Sequence, residues 1–280
     1  MIVLKVFNNN SIAALSDDKQ DIIVTGAGVG FCKKAGDIVD ESKIEKMYVF
    51  QDEHKKRFEQ SLNNIPVIYF EITEKIVKKA IKVLKKDFSS EIFMAISDHI
   101  SFTMKRKKDG VYLPNIFLNE IKTLYKEEYQ IGLWALSYIK RRTGISLDED
   151  EAGYIALHLA NFALSNKDNN VIKIVTFTKE IIDVIQKTMK MKLEEDTLAY
   201  ARISIHLKYL GERIFRNEKV LLEDTTYDIR EMLKTDSRLS LCINRIVKLI
   251  KKRYNYELSP DEQTYLCIHI KRILNEFFIY

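Results

Sequence analysis

The residues best suited to chemistry in this chain are histidines, and four of the five come in pairs. His99 is followed by Ile100, by an aromatic at +3 (Phe102) and by Arg106 at +7; His206, 107 positions later, is followed at the same offsets by Leu207, Tyr209 and Arg213. His158 closes the stretch LDEDEAGYIALHL (Leu147 to Leu159), and His269 lies 111 positions on, in LSPDEQTYLCIHI (Leu258 to Ile270). Asp150, Glu151 and Tyr154 return there as Asp261, Glu262 and Tyr265, and Lys140-Arg141-Arg142 returns as Lys251-Lys252-Arg253. A neutral imidazole near its usual pKa of about 6.5 is a good nucleophile at neutral pH. A phosphoryl group on it adds negative charge that recruits arginines or repels like charge at an interface. Arg106 and Arg213, two helical turns on, share nearly one face with His99 and His206; an exposed helix face is the other use for them.

Three other uses of the histidines are weighed against phosphoryl acceptance. A histidine on an apolar helix more often packs than reacts, but here Ala156 drifts to Cys267 and Leu157 to Ile268 while the histidines stay. Metal binding lacks an HExxH or HxxxH spacing, since the two histidines of a copy are 59 and 63 residues apart (99 to 158, 206 to 269). A catalytic triad has no need of two copies with both histidines repeated. Phosphoryl acceptance fits best, with no catalytic residue, no metal and no cofactor expected.

The elements that must carry these residues change along the chain. Residues 1–50 alternate as strands at Ile2 to Phe7, Ser11 to Ser16, Ile22 to Thr25 and Ile44 to Phe50, with Asn8-Asn9 and Asp17-Asp18-Lys19 as turns. A small antiparallel sheet of about four strands follows. So small a module buries little core and calls for a partner, most simply its own copy. Residues 51–65, with His54, are polar and read as a linker. From Pro66 the period is helical: Ile72, Ile76, Val77, Ala80, Ile81 and Leu84 make one face and Lys75, Lys78, Lys79 and Lys82 lie off it. Helices are predicted over 73–86, 91–105, 115–126, 130–142 and 148–164. In the second copy they fall near 178–190, 197–216, 226–233, 237–254 and 260–279. Ser259-Pro260-Asp261-Glu262 is a capping box, and Asp148 to Glu151 is expected to do the same in the first copy. The expected fold is therefore multidomain: a sheet domain at 1–55, a linker at 56–65, and two homologous all-α bundles at 66–170 and 171–280.

Composition sets the frame. A hydrophobic content of 46% and a charged content of 30% suit ordered globular structure, and a net charge of +5 permits an anionic partner without demanding one. Three cysteines without CxxC spacing point to a reduced protein, and no run is apolar enough for membrane insertion, so a cytoplasmic protein is expected. The sheet holds Lys5, Asn8, Asn10, Phe31, Lys33 and Lys34, residue types that meet phosphates, read base edges and stack on unpaired bases. With six lysines against seven carboxylates over residues 1–50, any nucleic-acid face there must be a local patch. Gly26 to Phe31 lacks the third glycine of a dinucleotide loop.

KVFNNNSIAAL (Lys5 to Leu15), TGAGVGFCKKAGD (Thr25 to Asp37) and IEKMYVF (Ile44 to Phe50) resemble the co-antiterminator RNA-binding domain of bacterial antiterminators of the BglG/SacY type. SDHISF and GYIALHL resemble the first of that family's two phosphotransferase-system (PTS) regulation domains; RISIHLKYL and YLCIHI resemble the second. The resemblance spans the chain. It implies a homodimer that binds an RNA hairpin in a nascent leader transcript and so prevents a terminator from forming. It implies phosphorylation of His99 and His158 by a sugar-specific PTS permease (enzyme II), which is inhibitory. It implies phosphorylation of His206 and His269 by the phosphocarrier HPr, which is often activating. Lys5, Asn8, Asn10, Gly26, Gly28, Phe31 and Lys33 match RNA-contacting positions. Where the family usually has Arg or Lys between two glycines this chain has Ala27, so one charged contact is lost. A DNA-binding activator with the same regulation domains is the alternative; it requires an N-terminal helix-turn-helix, and residues 1–50 have no helical period. An enzyme with a phosphohistidine intermediate is a third class.

Overall fold

The computed structural model describes residues 1–49, 65–89, 91–164, 170–195, 197–218 and 236–278. The expected linker at 56–65, apart from Ile65, lies outside them, as do His54 and the helix expected at 226–233. Four strands open the chain: β1 (Ile2–Asn8), β2 (Ser11–Leu15), β3 (Asp21–Thr25) and β4 (Lys46–Val49). Each pairs antiparallel with the next, in the order β1-β2-β3-β4, as the alternation predicts. Strand β1 shifts register between Val3 and Lys5 and again between Val6 and Asn8, bulges that bend an edge strand.

Successive side chains point to opposite faces of a strand, and both faces are used here. On one, Val3, Ile12, Ala14, Ile22 and Val24 cluster with Val29 and Val39. On the other, Ile23 packs with Ile65 and Phe70, flanked by Phe7, Tyr69 and Met94. The sheet thus gains part of its core from the helices that follow it.

Nine helices follow among the described residues: α1 (Val67–Leu84), α2 (Glu91–Lys108), α3 (Leu118–Leu124), α4 (Lys126–Thr143), α5 (Glu149–Phe162), α6 (Val171–Met189), α7 (Leu198–Arg216), α8 (Ser237–Tyr254) and α9 (Pro260–Phe278). None is long and apolar enough to cross a membrane. The apolar face expected of α1 is buried except for Ile81, which is 43% exposed. Three helices start earlier than predicted: α1 at Val67, directly after Pro66, α4 at Lys126, and α6 at Val171, where Val171, Ile174 and Val175 carry the buried period back by two turns. The helix expected over 115–126 is shorter, because Tyr125 leaves helical geometry (φ −129, ψ 48) and α4 begins at the next residue.

Two compact units form. The first comprises Met1–Leu113, Leu133–Glu151 and Phe162–Ser165, and in it α1 packs on α2. The second comprises Pro114–Gly132, Ala152–Asn161 and Asn166–Tyr280. Its core joins Phe177, Ile181 and Ile185 of α6, Ile203, Leu207 and Leu210 of α7, Ile243 and Ile246 of α8, and Leu266 and Ile270 of α9. Short helix α3, contributed by the first copy, packs on α6 and α7 in this unit. Its buried Glu120 accepts from the Tyr200 hydroxyl at 3.2 Å, and burial, only partly offset by Lys179 and Tyr200, raises that carboxyl above its ordinary range.

The duplication is visible in the backbone. Lys85 and Lys190 end α1 and α6, Gly110 and Asn217 follow α2 and α7, and Gly144 and Asn255 follow α4 and α8; all six have positive φ, between 51° and 74°. Buried hydroxyls recur too, though not their bond: Ser97 donates to Thr73 at 3.0 Å between α1 and α2, whereas Thr178 and Ser204, fully buried at the matching places of α6 and α7, are not hydrogen-bonded to each other.

A lysine in left-handed backbone costs about 1–2 kcal/mol, which glycine avoids at a helix end. Lys85→Gly and Lys190→Gly should therefore each stabilise by roughly 0.5–1 kcal/mol after glycine's own entropy cost. Lys82→Gly, inside α1, should instead destabilise by about 1 kcal/mol. Thermal unfolding of the three variants checks this.

Candidate functional site

In the second copy the fold brings the two predicted histidines together. Helix α7, N-capped by Thr197, carries His206. Helix α9 begins with the predicted capping box: Glu262 N–H donates to Ser259 Oγ at 3.2 Å and Ser259 N–H donates to Glu262 Oε2 at 2.9 Å. Tyr265 and His269, four residues apart on α9, share a face. The Tyr265 hydroxyl is hydrogen-bonded to His206 Nδ1. The two imidazoles lie with centroids 3.5 Å apart and planes tilted by 31°, and Tyr265 meets His269 edge-on at 4.4 Å.

The electrostatics keep both rings neutral at pH 7. Burial lowers His206, helped by Arg272; burial, His206 and Arg272 together push His269 down to about 4. Burial raises the Tyr265 phenol, so it stays protonated, with Arg213 pulling the other way. The Nε of Arg213 is buried and has no hydrogen-bond partner among the described residues.

The first copy is built differently from matching residues. On α2, His99 Nε2 lies 2.9 Å from Glu151 Oε2. Thr103, one turn on, donates to the same oxygen at 3.0 Å, and Arg106 Nη2 donates to Glu151 Oε1 at 3.0 Å and to Thr103 Oγ1 at 2.9 Å. These side chains are largely buried: His99 is 14% exposed, Arg106 11% and Glu151 8%. Burial alone would raise the Glu151 carboxyl, but His99, Thr103 and Arg106 outweigh it and hold Glu151 below the usual range.

The capping box expected at Asp148 to Glu151 does not form. Asp148 stands at the N-cap of α5 without capping, and its carboxylate takes Lys107 Nζ at 2.9 Å. Two donors on α2, Thr103 and Arg106, draw Glu151 away from its own helix. Tyr154 also departs from Tyr265, since its hydroxyl donates to the Pro114 carbonyl at 3.2 Å. His158 is half-buried on α5, two turns after Glu151. Glu151 and Tyr265 were missed as histidine partners; the signal was their retention in both copies beside the histidines.

The glycine loop after β3 is pinned by the asparagine turn. Asn10 Oδ1 accepts from Gly28 N–H at 2.8 Å, Asn10 O from Gly26 N–H at 3.0 Å and Asn9 O from Gly30 N–H at 2.9 Å. Gly26 admits no side chain, because a Cβ would lie 1.8 Å from the Lys43 carbonyl oxygen; Gly28 has φ +71. Asn10, Gly26 and Gly28, expected at the RNA, thus have backbone work as well. Phe31 closes the loop and is 59% exposed. Lys33 Nζ donates to the Ile38 carbonyl at 3.0 Å, Lys5 lies 5.3 Å over the Phe7 ring, and Asn8 pairs with Ser11 across the first hairpin. No group of His, Cys, Asp and Glu among the described residues could hold a metal ion.

A small sheet followed by a duplicated helical unit with paired histidines defines a two-part regulator, and comparison with known proteins identifies which. The model of the CAT RNA binding domain matches residues 1–57, and that of the PRD domain matches 74–162 and 179–273. The chain is 35% identical to the transcription antiterminator LicT of Bacillus subtilis (strain 168) over 277 residues, covering 99% of this chain and 100% of that protein. It is 32% identical to the beta-glucoside operon antiterminator of Dickeya chrysanthemi, covering 99% and 98%. A crystal structure of GlcT CAT-PRDI matches with 32% identity and a TM-score of 0.50, covering 58% of this chain and 98% of that one. The chain belongs to the family of transcription antiterminators made of a CAT RNA-binding domain and two PRD domains. The DNA-binding reading falls with this, as the N-terminal module is a sheet.

The depressed imidazoles make the second copy acid-sensitive. An unfolded histidine takes up its proton near pH 6.5 and the folded His269 only near 4. The unfolded state therefore binds more protons in that window, and stability falls as pH drops through it. Urea midpoints between pH 7.5 and 4 should show this, and His269→Gln should flatten the dependence.

Proposed function

We propose that this chain works as a dimer that holds an RNA hairpin in a nascent leader transcript, so that a terminator cannot form. Phosphoryl groups on its histidines set whether it can do so. His206 and His269 accept phosphate from HPr, which favours the active form. His99 and His158 accept it from a sugar-specific PTS permease, which opposes activity. The protein acts in the cytoplasm as a regulator and not as a catalyst.

The observation that carries this reading is the His206–Tyr265–His269 cluster. Two neutral imidazoles converge from helices far apart in sequence. Neutral imidazole is the nucleophilic form, and Arg213 and Arg272 provide positive charge around them. Close contact between the rings also means that a dianion on either must push the other away, so modification has a structural consequence. For the RNA-binding part, support comes from the family's domain and from Phe31, an exposed ring on a loop fixed by Asn9 and Asn10. An aromatic so placed suits stacking on an unpaired base, while Lys5 and Lys33 suit phosphates.

Phe31→Ala in the full chain should weaken binding of a leader hairpin by about 1–3 kcal/mol, the usual worth of one stacked base. Lys5→Ala should lower the slope of log K against log salt by about one. Gel shifts at several salt concentrations measure both. Incubation with enzyme I, HPr and phosphoenolpyruvate should place phosphate on His206 and His269; mass spectrometry finding neither modified would refute the acceptor role.

A further inference from the structure

The first copy contains a carboxylate where the second has a hydroxyl, and this difference assigns Glu151 a role. We propose that Glu151 is a latch that occupies the place of a phosphoryl group on His99. One of its oxygens stands 2.9 Å from His99 Nε2, and the two accept from the Thr103 hydroxyl and the Arg106 guanidinium at 3.0 Å. Thr103 and Arg106 are the donors that a phosphoryl group at Nε2 would need, and a carboxylate and a phosphoryl group cannot share them. This rests on His99 being a phosphoryl acceptor.

Space and charge both make the exclusion strict. Glu151 Oε2, 2.9 Å from His99 Nε2, occupies the place that a phosphorus atom must take to reach that nitrogen, so a phosphoryl group enters only if Glu151 leaves. The charge of Glu151, held by Thr103 and Arg106, also opposes the approach of a second anion to His99. The counterpart Glu262 does not do this, being committed to Ser259 N–H and the Tyr256 hydroxyl.

The transfer then runs as follows. Glu151 swings away and exposes Nε2 of the imidazole, which reacts as the tautomer with its proton on Nδ1. The Nε2 lone pair attacks phosphorus, the donor's P–N bond breaks and the N–P bond to His99 forms. With phosphoramidate as donor, ammonia leaves with the bonding pair and takes up the proton released from Nδ1. Arg106 and Thr103 pass from Glu151 to the phosphoryl oxygens.

The displaced carboxylate transmits the event. Glu151 lies in the first turn of α5, and its neighbours tie that turn to the end of α2: Asp148 to Lys107 at 2.9 Å and Asp150 to Tyr112 at 2.8 Å. A dianion set against this acidic run repels it and loosens the start of α5.

The test treats the full chain and its Glu151→Ala, Glu151→Gln and Glu262→Gln variants with phosphoramidate. Phosphate on each histidine is followed by peptide mass spectrometry, and its ring position by phosphorus NMR. His99 should react about tenfold faster in Glu151→Ala and less markedly faster in Glu151→Gln, which keeps an acceptor. The phosphate should lie on Nε2, and Glu262→Gln should leave the His99 rate unchanged. Rates at His206 and His269 report that each variant is folded. Equal His99 rates in all four proteins, or phosphate on Nδ1 with wild-type speed, overturn the latch alone. No phosphate on His99 in any of them overturns the acceptor reading and the latch together.

Discussion

An imidazole has two nitrogens, and whatever holds one of them decides what the other can do. A hydroxyl can donate or accept and so tolerates either tautomer; a carboxylate only accepts and fixes the proton on the nitrogen it faces. This chain uses both. His206 is held by Tyr265 and His99 by Glu151, from helices that arose as copies of each other. The scaffold around them is arranged for this choice: the capping box of α9 keeps Glu262 out of the histidine cluster, while on α5 the box is forgone.

The same few positions therefore produce two electrostatic settings. In the second copy, buried imidazoles with arginines near them resist protonation. In the first, an arginine, a threonine and an imidazole converge on one carboxylate and stabilise its charge. Duplication preserved the residue types and let the partners diverge.

How much of this could be read from the sequence depended on how local each feature is. The four-strand sheet and the α8 boundaries emerged as predicted, since alternation and helical period are local signals. The Ser259-to-Glu262 box was legible for the same reason. Its twin at Asp148 was not, because the competing donors for Glu151 come from Thr103 and Arg106, more than forty residues away in sequence (151 against 106). The break at Tyr125 and the early start of α6 likewise follow from packing of α3, α6 and α7. Asn10 and Gly26 were read as ligand-facing, but Gly26 is also demanded by the nearby Lys43 carbonyl, which only folding brings there.

Helix α3 belongs to the first copy by descent and to the second by packing. Its Glu120 gives the Tyr200 hydroxyl a buried acceptor. The two halves of the duplication have in this way ceased to be interchangeable parts. Excising the second at residue 171 would hand the Tyr200 phenol to water and uncover the flank of α6 and α7 on which α3 packs.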